Sequence, residues 1–94
     1  MATRPINTES WKGRRRIAGD LALRGDIAAA RRALSVLAQD AESIEDRASI
    51  LSDLAAVAAA SGRMIAADRG LQQALRLSPE CTVAKRNLSL LRSR

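Results

Sequence analysis

Histidine, tyrosine and phenylalanine are missing from this chain, and tryptophan and cysteine occur once each, as Trp11 and Cys81. Without histidine the commonest general base is gone, and Cys81 has no base beside it in the sequence, so nucleophilic and general-base schemes have no players. One cysteine forms no internal disulfide and no CxxC metal motif, which fits a reducing compartment. Gly13, Gly19 and Gly25 are spread along a helical stretch and do not follow a strand, so no phosphate-cradling loop is expected. No apolar run reaches the length of a membrane span. Arg14–Arg16 resemble the start of a signal peptide, but Asp20, Arg24 and Asp26 interrupt what would have to be its apolar core. β-branched and aromatic residues are sparse and never alternate, which excludes strands. The expectation is a cytoplasmic, non-enzymatic protein with no catalytic residues, no metal and no cofactor.

What the chain does have is alanine, leucine and arginine. Hydrophobic residues make up 47% of its 94 positions, enough for one small helical domain with a core of low area per residue. The net charge is +6, and only Lys12 and Lys85 are lysine, so the positive charge is almost all arginine. Arginine offers a two-pronged donor to phosphates or carboxylates. An Arg- and Ala-rich, Lys-poor composition also follows from a GC-rich genome, and both readings stand.

Residues 1–9 show no period and read as a flexible tail. Ser10 is placed to cap a helix over about 10–24, with Trp11, Ile17, Ala18 and Leu21 in one stripe. Gly25 stops it, and Asp26 is expected to cap a second helix over about 27–39. Acids at Asp40, Glu42, Glu45 and Asp46 surround Ser43, which with Asp46 forms a capping-box pattern opening a third helix over about 44–60. Helix-start electrostatics account for that acidic patch without a metal. Gly62 ends the third helix, a fourth follows over about 63–77, and Ser78-Pro79-Glu80 reads as the start of a fifth over about 79–92.

The stretches GDIAAARRAL (25–34) and GRMIAADRGL (62–71) repeat at an offset of 37, and the match extends to Ile17-Ala18 against Leu54-Ala55. A fixed period built from helix–turn–helix units marks a stacked repeat. Residues 48–81 resemble a tetratricopeptide repeat (TPR) through Leu51, Leu54, Ala55, Ala58, Gly62, Ala67, Leu71, Ala74 and Pro79. Residues 11–44 match it less completely through Ile17, Ala18, Leu21, Gly25, Ala30 and Leu34, and 84–91 resembles the first helix of a truncated third unit. The large aromatics usual in the family are replaced. The resemblance implies an all-α, right-handed superhelix of two stacked antiparallel hairpins (11–44 and 48–81) plus a C-terminal capping helix, in a single domain over 10–94.

The resemblance also implies a binding groove lined by the first helix of each unit. Carried over position by position, that groove comprises Lys12, Arg15, Gly19 and Ala22, then Ser49, Ser52, Ala56 and Ala59, then Val83, Arg86 and Leu90. Small side chains between basic ends would admit an acidic or amphipathic helix or an extended peptide. For Ala56 and Ala59, tight internal packing is the plainer explanation. The family's peptide-carboxylate clamp is not expected, because Gly19, Asp53, Val83 and Asn87 occupy most of its positions. In size and fold the chain resembles the small repeat chaperones of bacterial secretion systems, and two and a half units point to a bound partner or an oligomer. A different class, a nucleic-acid or ribonucleoprotein accessory subunit, would use Trp11, Arg14, Arg16, Arg31, Arg69 and Arg76. Against it, a lone tryptophan beside a charge run is more simply an anchor for the first helix.

Overall fold

The computed structural model describes residues 10–93, and the flexible tail expected over 1–9 lies outside them. The described chain is all-helical: α1 (Trp11–Leu23), α2 (Ile27–Asp40), α3 (Ile44–Ala60), α4 (Met64–Leu77) and α5 (Thr82–Arg92). Two hairpins, α1–α2 and α3–α4, stack through α2 against α3, and α5 closes the far side against α4 and α3. The helix α3 is central, touching α2, α4 and α5.

The two hairpin turns share the same pair of closing hydrogen bonds. Gly25 (φ 89°) and Gly62 (φ 83°) hold the left-handed conformation that glycine adopts without steric cost. The Gly25 N–H donates to the Ala22 carbonyl and the Asp26 N–H to that of Leu21. The Gly62 N–H donates to Ala59 and the Arg63 N–H to Ala58, so every partner is shifted by the same 37 residues. This is the paired bonding of a Schellman motif, and it turns each chain back along its own first helix.

Capping separates expectation from outcome. Ser10 Oγ accepts from the Gly13 N–H at 2.9 Å, and Ser43 Oγ accepts from the Asp46 N–H at 3.0 Å, as their spacing predicts. Asp26 makes no side-chain cap. Its backbone (ψ 67°) is pulled out of the extended region by the preceding turn, so its carboxylate does not reach the helix N–H groups. Ser78-Pro79-Glu80 does not open α5 either. The Cys81 N–H donates to the Ser78 carbonyl at 3.0 Å, making these residues a turn with Pro79 in the second position, and the helix starts three residues later than expected.

The core divides into two clusters. Ala18, Leu34, Leu37, Ile50 and Val57 join the first hairpin to α3. Ala48, Ala55, Ala67, Leu71, Ala74, Cys81 and Ala84 join the second hairpin to α5. Alanine allows close approach: a Cβ placed on Gly70 of α4 would lie 3.3 Å from the Ala55 Cβ of α3.

The residues of α3 that meet the preceding hairpin are Ile50, Leu54 and Val57. Thirty-four positions on, Ala84, Leu88 and Leu91 of α5 do the same. The face with which α3 meets its own partner helix is Ala48, Leu51, Ala55 and Ala58. Its counterparts on α5 are Thr82, Lys85, Ser89 and Arg92, all exposed. So α5 seals the second hairpin with its inner face and meets water with a polar outer one, the property required of a terminal unit in a stack.

Candidate functional site

One face of the molecule is formed by α1, α3 and α5. On α3 the outward residues are Asp46, Ser49, Asp53, Ala56 and Ala60, spaced three or four apart and therefore in line along the helix. None of them belongs to either core cluster.

Between α1 and α3 the face is polar. Trp11, Lys12, Arg15, Arg16 and Gly19 line it on one side, Asp46 and Asp53 on the other. Arg15 is not a free cation. Its Nε donates to Asp53 Oδ2 at 2.6 Å and its Nη2 to Asp53 Oδ1 at 3.2 Å, a two-pronged pair across helices that are 38 residues apart in sequence. The hydrogen bond to Asp53 raises the Arg15 pKa above the ordinary arginine value, so the guanidinium stays charged at every working pH. Sequence spacing gave no signal for this pairing, and from the sequence Asp53 stood out only as the occupant of a carboxylate-clamp position.

Between α3 and α5 the face is apolar. A trough of about 390 Å³ is lined by Ala55, Ala56, Ala59 and Ala60 of α3, Ala67 and Leu71 of α4, and Asn87, Leu90 and Leu91 of α5. Leu90 is 60% exposed. Arg86 stands one turn before Leu90 on α5, exposed and without an ion pair among the described residues.

The other expected groove positions divide. Lys12 and Gly19 line the α1–α3 interval, Ala56 lines the trough, Ala22 is half-buried against the first core cluster, and Ser49 is half-buried on the outward side of α3. Ser52 is a correction. It is fully buried, and its hydroxyl donates to the Ala48 carbonyl at 2.9 Å. Because α3 has neighbours on three sides, its exposed arc is narrower than the repeat pattern implies, and Asp53 takes the outward place expected for Ser52.

The Trp11–Arg16 segment is tied down internally. Trp11 Nε1 donates to the Leu37 carbonyl at 3.2 Å, anchoring α1 on α2. Arg14 pairs with Asp40 at 3.2 Å, and Arg16 stands 4.0 Å from Asp20 in its own helix. Arg31 on α2 and Arg69 and Arg76 on α4 are exposed, with no ion pair among the described residues. Near the other end of α5, Arg92 binds Asp68 of α4 at 3.2 Å, and Gln72 also donates to Asp68. These bonds, Arg92 first, hold the Asp68 carboxyl below its ordinary pKa.

Among the described residues no cluster of acids and cysteine is arranged to hold a metal ion, and no helix is long and apolar enough to cross a membrane. Comparison with known proteins gives no match: no family model, no curated protein and no solved structure is similar to this chain.

Proposed function

We propose that this chain is a non-enzymatic protein–protein interaction module, a TPR-like small adaptor or chaperone of the cytoplasm. It holds an acidic or amphipathic segment of another protein against the face formed by α1, α3 and α5. The observation that carries this reading is the apolar trough between α3 and α5, which gathers five alanines and three leucines, among them the exposed Leu90, around one concave surface. Exposed apolar surface of this kind marks interaction sites on small proteins. Lys12 and Arg86, without an ion pair among the described residues, flank the face and favour an acidic partner. Self-association is the weaker form of the reading, because the outer face of α5 is already polar.

The test is affinity capture with identification of retained proteins, comparing the wild type with a Lys12→Glu, Arg86→Glu double variant. A discrete set of partners lost in the double variant supports the module. Undiminished capture excludes this face.

A second reading, a nucleic-acid or ribonucleoprotein accessory subunit, rests on Arg31, Arg69 and Arg76, which are exposed and have no carboxylate partner among the described residues. Protein purified at low salt would then carry nucleic acid that high salt removes, since phosphate binding releases counterions. The ratio of absorbance at 260 and 280 nm reads this directly, and a clean protein spectrum at low salt rejects it.

A further inference from the structure

The repeat places the same interval between first helices twice, once between α1 and α3 and once between α3 and α5. In the first interval Arg15 and Asp53 bridge the gap. Shifting Arg15 by 37 residues gives Ser52, and shifting Asp53 by 34 gives Asn87. The second interval therefore lacks both members of the bridging pair. Ser52 is buried within α3, Asn87 lines the trough, and alanines stand where longer side chains would fill the space. The same scaffold carries an ion pair across the first interval and none across the second, where the lining is apolar.

We infer that this trough is the seat of an amphipathic helix from an acidic partner, the helix inserting large apolar side chains between α3 and α5. The inference rests on the interaction-module reading and narrows it from a helical or extended segment to a helix. Every wall of the trough is α-helix, whose backbone groups are already bonded within the helices. An extended peptide would lose water from its own N–H and C=O groups and find Asn87 as the one polar lining side chain. A helix carries its backbone bonds with it and needs only an apolar stripe.

The charge around the trough selects the sign of the partner. Arg86 stands one turn before Leu90, and Arg63 follows Ala60 by three residues at the α3–α4 turn. Both are exposed and free of ion pairs among the described residues. The acids closest in sequence to the lining residues, Asp53 and Asp68, are engaged by Arg15 and Arg92. Among the described residues, the charges next to the lining residues in sequence that remain unpaired are positive. A net charge of +6 also sets two copies of the chain against one another at long range, which favours an acidic partner over a second copy.

The probe is a designed, fluorescently labelled helical peptide of about 14 residues, roughly 21 Å long at the α-helical rise. Leucines form one stripe on it and glutamates cover the rest. A peptide of the same composition with the stripe scrambled is the control. Fluorescence anisotropy is expected to show saturable binding of the striped peptide at least tenfold tighter than of the control. Ala56→Leu fills the trough from an exposed position and should weaken binding tenfold or more. Arg63→Glu with Arg86→Glu should weaken it several-fold and flatten its salt dependence. Circular dichroism and melting confirm that each variant is folded.

Equal binding of the two peptides, or affinity unmoved by Ala56→Leu, overturns the inference. So does a concentration-dependent increase in mass that Ile44→Asp abolishes, because the exposed Ile44 beside Glu42 and Glu45 would then identify a second copy as the occupant. If Ala56→Leu retains the captured partners while Lys12→Glu with Arg86→Glu loses them, the interaction module stands and the helix-in-trough inference alone fails.

Discussion

Leu37→Ala tests whether the first hairpin is a separable unit. Leu37 is 1% exposed and belongs to the cluster that holds α1–α2 against α3. Truncating such a leucine removes its transfer free energy and leaves a cavity, costing about 3 kcal/mol. A chain of this size has about 5–14 kcal/mol in all, and the loss corresponds to a fall in Tm of roughly 12–24 °C. The second cluster, from Ala48 to Ala84, shares no residue with the damaged one. The Leu37 carbonyl still accepts the Trp11 indole N–H, since it belongs to the backbone. Destabilisation should therefore concentrate in α1 and α2. In hydrogen exchange read by mass spectrometry, amides of those two helices should exchange on the order of 100-fold faster, while those of α4 change by less than about tenfold. Equal acceleration in all five helices would show a single cooperative unit and refute the division into two clusters. A Tm shift of less than about 5 °C would refute the packing argument itself.

Three further outcomes follow from particular contacts. A double-mutant cycle on Arg15→Ala and Asp53→Ala, measured by urea unfolding, should give a coupling of about 1 kcal/mol, the value for a two-pronged pair about one-third exposed; coupling indistinguishable from zero would mean the pair does not tie α1 to α3. Gly62→Ala should cost about 1–2 kcal/mol in thermal unfolding, because the left-handed backbone is retained in the turn, and an unchanged Tm would contradict the assigned conformation. Asp68→Asn should destabilise the protein at neutral pH and lose that effect in acid. Since the folded carboxyl titrates below its ordinary value, its contribution is complete above that value and disappears as pH falls through the lower folded one; a penalty that persists at pH 2 would point away from the charge.

The hairpins were legible because their signals are local. Gly25 and Gly62 end helices in a conformation that other residues rarely take, and Ser10 and Ser43 cap through bonds to residues three positions on. Of the stripe expected on α1, Trp11 and Ala18 pack on the first core cluster, whereas Ile17 is 39% exposed and Leu21 belongs to neither cluster. Asp26 and Ser78-Pro79-Glu80 misled because the same residue types serve both caps and turns, and the preceding chain direction decides between them. The site was less legible because it depends on how many neighbours each helix has. Ser52 reads as a groove residue by analogy with Arg15 and Arg86, yet α3 is crowded on three sides and buries it. The Arg15–Asp53 pair joins residues 38 apart, a separation that no helical period encodes.

On the interaction-module proposal, the divergence between the two intervals points recognition to the second. If the face served only to hold the units together, the strongest bridge would recur at each step, as the turn geometry does. The two glycine turns share a positive φ and the same pair of closing hydrogen bonds. The bridging pair is present at the first interval and replaced at the second by a buried serine and an asparagine, beside alanines and an exposed leucine. Stability alone does not account for that choice, because filling the trough with larger apolar residues would bury more area at about 25 cal/mol per Å². An open apolar interval at one step, beside an ion-paired one at the other, is the arrangement expected when the scaffold is held by the first and the partner is taken by the second.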